Sequence, residues 1–192
     1  MKSVCVFCGS AMGAKPEYAN AAKAMGLLLA GKGINVVFGG GRIGLMGVVA
    51  DAALSGGGKV TGVIPYFLST KEIAHHGLTE LLIVNSMHER KNKMAELSDG
   101  FIALPGGIGT LEELFEIFSW DYLHLHHKPI GILNVGGFYD RMLDHLRYSV
   151  SEGFLKQSQF ERLLIANDPE TLLRLMQERV IKGEQPLDKR RT

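Results

Sequence analysis

The stretch GFIALPGGIGTLEE, residues 100–113, joins an apolar run to a helical pattern through a loop with three glycines in four positions. The run GFIAL is typical of a strand buried on both faces, and TLEE is typical of a helix start. A buried strand that leads through a tight loop into a helix is the repeating unit of parallel α/β sheets. The stretch therefore predicts that fold class.

The same unit recurs along almost the whole chain. Further strands are predicted at 2–7, 34–38, 59–64, 79–84, 128–133 and 162–166, and helices at about 16–31, 43–56, 87–98, 110–124, 136–152 and 168–182. This alternation predicts a doubly wound parallel α/β sheet of about seven strands with helices on both faces. We expect a single domain over residues 1–182 and a flexible tail over 183–192.

Composition narrows the classes of partner. The 192 residues are 46% apolar, and 21 lysines and arginines face 20 aspartates and glutamates. A charge so balanced gives no strong field toward nucleic acid or an anionic membrane, so a small molecule is the expected partner. The N-terminal apolar run is too short for a signal peptide, and no stretch approaches the ~18 apolar residues of a membrane span. We expect a cytoplasmic protein.

Cysteine and histidine clusters raise the question of a metal site. Cys5 and Cys8 form C-x-x-C, but they stand on a predicted strand, where residues three apart point to opposite faces. No second cysteine pair completes a zinc site, so both are expected to be reduced structural thiols. The cluster HLHH, residues 124–127, falls at a predicted helix end, where histidines interact with backbone carbonyls. No metal is expected.

A glycine signature follows the second strand. Gly39, Gly41 and Gly44 satisfy G-x-G-x-x-G between a strand and a helix, which is the context of a dinucleotide site. The next strand ends in Pro65 and Tyr66, however, where the acidic residue that binds ribose hydroxyls is expected. This disfavours a dinucleotide cofactor, and no cofactor is expected. The same three glycines, Gly41 among them, fit a loop that lines a mononucleotide pocket better.

The loop 105–110 is the strongest candidate for a phosphate site. Ligands of such sheets bind beyond the carboxyl ends of the strands, where this loop meets CGSAMG, residues 8–13, which contains Ser10. Glycines add chain entropy that folding must overcome, but they let a ligand approach the backbone at a helix start. The predicted phosphate-binding residues are Gly106, Gly107, Ile108, Gly109 and Thr110. A purely structural turn is the alternative, because Thr110 and Glu113 fit a capping box.

A second unusual stretch is NSMHERKNKMAEL, residues 85–97. Ser86 and Glu89 predict a capping box, and Arg90 falls in the apolar stripe of the helix that follows. An inward arginine in the early turns needs an anion, and either a protein carboxylate or a substrate phosphate would serve. The neighbouring Lys91 is either a ligand contact or a solvated surface lysine.

Together these stretches resemble one known family. MHERK, residues 87–91, and PGGIGTLEE, residues 105–113, are similar to the M-H-x-R-K and P-G-G-x-G-T-x-x-E signatures of the Lonely Guy family. The resemblance spans roughly residues 2–180. It implies a Rossmann-like homodimer that hydrolyses N6-substituted adenosine 5′-monophosphates to free base and ribose 5-phosphate. It also implies catalytic roles for Arg90 and Glu113, and substrate contacts for Glu72, Lys91 and the loop 107–110.

The expected chemistry fits these side chains. Cleavage of an N-glycosidic bond builds positive charge on the ribose, and a carboxylate such as Glu113 stabilises that charge or orients water. With Arg90 nearby, we expect a lowered Glu113 pKa, which argues against a general acid. Two alternatives stay open: hydrolysis of plain AMP as the main substrate, and a non-catalytic nucleotide or molybdenum-cofactor carrier. Candidates for the walls that contact the base are Met12, Met46 and IPYFLS, residues 64–69.

Overall fold

Seven parallel strands form the centre of the molecule in a computed structural model that describes residues 1–69 and 73–184. The strands are β1 Ser3–Phe7, β2 Asn35–Phe38, β3 Val60–Pro65, β4 Glu80–Val84, β5 Phe101–Ala103, β6 Ile130–Leu133 and β7 Leu163–Ala166. Each predicted strand coincides with one of these seven to within two residues. The predicted fold class is therefore confirmed.

The strands lie in the order β4-β3-β2-β1-β5-β6-β7. The first strand is central, because Cys5 pairs with Val37 of β2 on one side and with Phe101 of β5 on the other. From β1 the chain builds one half of the sheet and later returns to build the other half. The loops that leave β1 and β5 therefore diverge and open a crevice at the carboxyl end of the sheet.

Seven α-helices and two short 3₁₀ turns connect the strands in the described residues. The helices are α1 Pro16–Gly31, α2 Gly44–Ser55, α3 Met87–Glu96, α4 Ile108–Tyr122, α5 Asp140–Ser151, α6 Gln157–Phe160 and α7 Pro169–Glu184, and the turns are Tyr66–Leu68 and Val135–Gly137. The helix predicted over 136–152 starts only at Asp140, because Gly136 and Gly137 have positive φ angles of 56° and 73°. The short α6 was not predicted from the sequence.

The helices cover both faces of the sheet and enclose two apolar cores. One core contains Met25 of α1, Val49 of α2 and Met176 of α7, and the other contains Met94 of α3 and Leu114 of α4. These buried layers explain why the strands are nearly continuous apolar runs. The predicted domain over 1–182 accordingly contains the whole sheet, and most of the predicted tail, 185–192, lies outside the described residues.

The two cysteines lie on opposite faces of the sheet, as predicted. Both thiols are free and buried, Cys5 in the core beside α4 and Cys8 in the core beside α1. Burial raises the pKa of both thiols well above the usual range.

The histidine cluster caps the end of α4. The His126 Nε2 atom lies 3.0 Å from the Ile117 carbonyl oxygen, in line with the predicted interaction between histidines and carbonyls. In residues 1–69 and 73–184, no three His, Cys, Asp or Glu side chains come together as a metal site. None of the described helices has both the length and the apolar character needed to cross a membrane.

Candidate active site

A cavity of about 450 Å³ opens at the carboxyl end of the sheet, beside the point where the strand order reverses. Five of its lining residues are apolar and are here called the apolar wall: Ile43, Met46, Ile64, Leu68 and Ile73. The cavity is also lined by Ser10, Arg90, Thr110 and Glu113 and by residues 107–109. The cavity therefore joins an apolar surface to a cation, a carboxyl group and a helix start.

The start of α4 supplies backbone donors to this cavity. Gly107 is the N-cap residue and offers no side-chain cap, and the first intrahelical bond runs from the Leu111 N–H to the Gly107 carbonyl at 3.1 Å. The N–H groups of Ile108, Gly109 and Thr110 have no partner within the helix, and all three residues line the cavity. The predicted phosphate loop thus lies where an anion can meet these donors.

The capping box predicted for Thr110 and Glu113 is wrong. The helix begins at Ile108, so Thr110 is its third residue rather than its cap, and Glu113 stands in the second turn. The capping box predicted for Ser86 is present in altered form. The Ser86 Oγ accepts the Glu89 N–H at 3.1 Å, while the Glu89 carboxylate accepts the N–H of Asn85 at 2.8 Å.

The glycines of the phosphate loop have different structural roles. A methyl group on Gly106 would overlap the Thr110 hydroxyl and lie 2.9 Å from the Gly9 nitrogen, so this glycine is required by close packing. At Gly107 and Gly109 an added methyl group would meet nothing within 4 Å. These two positions leave space over the helix start rather than satisfying the fold.

Because of this difference, alanine substitutions at Gly106 and Gly107 are expected to affect different properties, stability in the first case and nucleotide binding in the second. Gly106→Ala is expected to lower the free energy of unfolding by about 1–3 kcal/mol, because the methyl group forces Thr110 from its buried place. Gly107→Ala is expected to change it by less than about 1 kcal/mol but to weaken nucleotide binding, because the methyl group enters the ligand space. Urea unfolding of both variants checks the first expectation, and equal destabilisation would contradict it.

Arg90 reaches the cavity from α3. Its Nε donates to the Val63 carbonyl oxygen at 3.1 Å, and its Nη2 donates to the Gly39 carbonyl oxygen at 3.0 Å. A methyl group on Gly39 would overlap Nη2, so the missing side chain lets the guanidinium approach. Among residues 1–69 and 73–184, no carboxylate lies within ion-pair distance of Arg90. The Arg–Glu pair that sequence reasoning left open is therefore not seen in this part of the chain.

The resemblance also assigns Lys91 and Glu72 to substrate contact. The Lys91 Nζ lies 2.6 Å from Glu112 and 2.9 Å from Glu116 and does not line the cavity. Burial alone lowers the pKa of Lys91, but the hydrogen bonds to both glutamates outweigh burial and raise it. Lys91 is therefore neither solvated nor directed into the cavity. Glu72 lies outside the described residues.

The Glu113 carboxyl group lines the cavity and has a strongly raised pKa. Burial raises its pKa from 4.5 to about 7, while the positive charge of Arg90 lowers it by less. Among the described residues, no hydrogen bond or ion pair holds the carboxylate. The predicted lowering of the pKa is therefore wrong, because the guanidinium donors of Arg90 are directed at carbonyl oxygens and desolvation dominates. A Glu113 that is partly protonated near neutral pH is compatible with a role as a general acid.

The raised pKa of Glu113 predicts that ionisation of this carboxyl group at higher pH lowers the free energy of unfolding. The unfolded chain ionises near pH 4.5 and the folded chain only near 7, so stability is lost as the pH rises through this window. Glu113→Gln is expected to raise the free energy of unfolding by on the order of 3 kcal/mol at about pH 8 and by little at about pH 4. Urea unfolding at the two pH values measures this. The same gain at both would contradict the raised pKa.

Gly39 and Gly41 line the cavity, as expected for glycines of a loop at a nucleotide pocket. Cys8, Ile43 and Ile73 also line it and were not predicted as site residues, although Cys8 follows directly after β1 and its place at a strand end was the signal available. Of the residues proposed to contact the base, Met46 and two residues of the segment 64–69, Ile64 and Leu68, belong to the apolar wall. Met12 lies instead in a smaller cavity of about 260 Å³, which also contains Gly106 and shares Ser10 and Gly107 with the first.

The chain is similar to a known family over most of its length. The profile of a family described as "Possible lysine decarboxylase" matches residues 46–176. A cytokinin riboside 5′-monophosphate phosphoribohydrolase from Rhodococcoides fascians is 48% identical over 170 residues, which cover 88% of this chain and 86% of that protein. The cytokinin riboside 5′-monophosphate phosphoribohydrolase LOG from Oryza sativa subsp. japonica is 46% identical over 183 residues, 95% of this chain and 76% of that protein.

Similarity in structure extends further than similarity in sequence. A molybdenum cofactor binding protein from Rippkaea orientalis superposes with a TM-score of 0.71 over 94% of this chain and 98% of that chain, at 20% identity. At this identity the likeness shows the fold alone. Among the residues that the structure describes, no lysine lines the cavity.

Proposed function

Because this chain belongs to the family of cytokinin riboside 5′-monophosphate phosphoribohydrolases, we propose that it hydrolyses the N-glycosidic bond of N6-substituted adenosine 5′-monophosphates. Water breaks the bond between C1′ and N9, its hydroxyl goes to C1′, and its proton goes to the departing base. The products are a free base and ribose 5-phosphate. The reaction needs an anion site, a group that transfers a proton, and a surface for the base.

The observation that carries this proposal is the Glu113 carboxyl group in the cavity that also contains the α4 start. Its pKa of about 7 lets it take a proton from water and return it near neutral pH. In its ionised form it also stabilises the positive charge that develops on the ribose. Raised carboxyl pKa values at cavities are typical of catalytic groups. The same residue can thus supply the proton to the base, for which the sequence offered no donor.

The rest of the cavity suits a nucleotide. The unpaired N–H groups at the start of α4, with Ser10 and Arg90, form the proposed phosphate site. Arg90 donates to two carbonyl oxygens, and among the described residues its Nη1 meets only the Met87 sulfur at 3.8 Å, which leaves donors for an anion. The apolar wall is the proposed surface for the base and its N6 substituent.

Three narrower statements stay predictions. Plain AMP is a proposed second substrate, since it carries the same phosphate and glycosidic bond. A homodimer is supported by the apolar side chains exposed near the end of α4, among them Leu123 and Leu125. A cytoplasmic location and the absence of nucleic acid and membrane partners follow from composition alone.

Product analysis tests the proposed reaction. The protein is incubated with AMP or N6-isopentenyl-AMP, and base, nucleoside, phosphate and ribose 5-phosphate are quantified. Equal amounts of base and ribose 5-phosphate are expected, faster from N6-isopentenyl-AMP. Nucleoside with free phosphate would indicate a phosphatase. Unchanged nucleotide that copurifies with the protein would indicate a carrier, and either result would overturn the proposal.

A further inference from the structure

A short segment beside the cavity carries one residue of the apolar wall. Residues 73–77 cross the loop between β2 and α2, where the Arg42 N–H donates to the Ile73 carbonyl at 2.8 Å and the His75 N–H donates to the Gly40 carbonyl at 2.9 Å. Ile73 faces the cavity, whereas His75 does not line it. In the sequence the segment directly follows Glu72, which the resemblance assigns to substrate contact.

Both ring nitrogens of His75 are engaged. The Gly77 N–H donates to Nδ1 at 3.1 Å, and Nε2 lies 2.9 Å from the Asp51 Oδ1. A backbone N–H can only donate, so Nδ1 accepts and Nε2 carries the proton that it donates to Asp51. The ring is nearly removed from solvent, with 11% of the side chain exposed, although Asp51 is 74% exposed. These two hydrogen bonds fix the orientation of the ring.

The partner Asp51 belongs to α2, the helix that also carries Met46 of the apolar wall. The first turn of α2 carries Met46 into the cavity, and Asp51 follows on the same helix. The bond from His75 to Asp51 therefore fixes the distance between α2 and the segment that carries Ile73. Neither His75 nor Asp51 lines the cavity, so their effect on it is indirect.

We propose that His75 and Asp51 form a clamp that holds Ile73 against α2 and thereby sets how the cavity accepts the N6 substituent. His75 is a positioning residue in this account. The inference rests on the proposed function, since it takes the apolar wall as the surface for the base. A looser wall loses contact with a large N6 group more than with a bare amino group. Opening the clamp should therefore change substrate preference rather than the catalytic step.

Four variants separate the clamp from general stability. Asp51→Ala removes the acceptor, and Asp51→Asn retains an acceptor oxygen. His75→Asn can still accept the Gly77 N–H, as asparagine does in Asx turns, but is too short to reach Asp51. His75→Gln is long enough to donate to Asp51. Asp144→Ala is the control, because Asp144 pairs with Arg147 at 2.8 Å on the surface and does not line the cavity.

Steady-state kinetics with N6-isopentenyl-AMP and AMP provide the test. Asp51→Ala and His75→Asn are expected to raise KM for N6-isopentenyl-AMP about tenfold, with less effect on AMP and little effect on kcat. Asp51→Asn and His75→Gln should restore most of the preference. The double variant Asp51→Ala with His75→Asn should be no worse than either single variant. The control should match the wild type.

The outcomes distinguish failure of the clamp from failure of the proposed function. If Asp51→Ala and His75→Asn keep the ratio of the two kcat/KM values within about twofold of the wild type, the clamp is overturned. An equal loss for both substrates would also overturn it. If the wild type releases no base at all, the proposed function fails. Dissociation constants of the two nucleotides then test the clamp, with selective weakening for N6-isopentenyl-AMP expected and equal binding overturning it.

Discussion

Glu113→Gln is expected to lower the rate of base release by about 10³-fold or more, because it removes both the negative charge and the proton-transfer group. Glutamine has nearly the same shape, and the variant should fold at least as well as the wild type, since it no longer buries an ionisable group. Loss of activity with a retained or raised free energy of unfolding is therefore the expected combination. Single-turnover release of base, followed by chromatography, measures the first quantity.

The adjacent residue offers a matched control for this variant. Glu112 precedes Glu113, is half-exposed, and pairs with Lys91 at 2.6 Å outside the cavity. Glu112→Gln removes the same charge from the same helix and is expected to leave base release within about threefold of the wild type. If both variants lost activity equally, a general charge effect on α4 would explain the result and the role of Glu113 would be refuted.

Arg90→Ala is expected to lower kcat/KM by about 10²-fold or more, because truncation removes a partly buried cation from the proposed phosphate site. Gly39→Ala tests the position of that cation without removing it. Its methyl group would overlap Nη2 and displace the guanidinium, so a large part of the same loss is expected. Steady-state kinetics on both variants measure these losses.

Surface arginines provide the comparison for Arg90. Arg147 pairs with Asp144 at 2.8 Å on α5 and does not line the cavity, so Arg147→Ala is expected to keep wild-type kinetics. Retention of kcat/KM within about tenfold by Arg90→Ala would show that the cation does not anchor the nucleotide. Hydrogen bonding to the carbonyl oxygens of Val63 and Gly39 would then be the only function of Arg90 that the described residues show.

Much of the fold follows from local pattern in the sequence. Apolar runs such as 100–104 predict buried strands, and Asp168 before Pro169 predicts the start of α7, where the Asp168 carboxylate accepts the Thr171 N–H at 2.9 Å. The order of the strands depends on which strand edges pair with each other, and no local sequence pattern determines this pairing. The pairing of β1 with β5 places Ser10 beside the phosphate loop.

Several residues proposed for the site line one cavity, and their catalytic and binding roles stay predictions, whereas the predicted electrostatics of Glu113 was wrong. Motif spacing and the resemblance placed Arg90 and Glu113 together, and both line one cavity. The pKa of Glu113 depends on which turn of α4 carries it and on where the Arg90 donors point. The helix starts at Ile108, two residues before the predicted start, so Thr110 and Glu113 do not form the expected capping box. The Arg90 guanidinium donates to carbonyl oxygens of β3 and of the loop after β2, whereas the sequence suggested a carboxylate as its partner.

The pH dependence of kcat/KM for N6-isopentenyl-AMP tests the central claim most directly, because this quantity reports ionisation of the free protein. With the ionised carboxylate as the active form, kcat/KM should rise with pH and level off above an apparent pKa of about 7. The second ionisation of a phosphate monoester, at about pH 6, must be measured separately and subtracted. A profile that is flat around pH 7 after this correction, or one that bends only near the ordinary carboxyl value of 4.5, would contradict the assignment of catalysis to the buried Glu113.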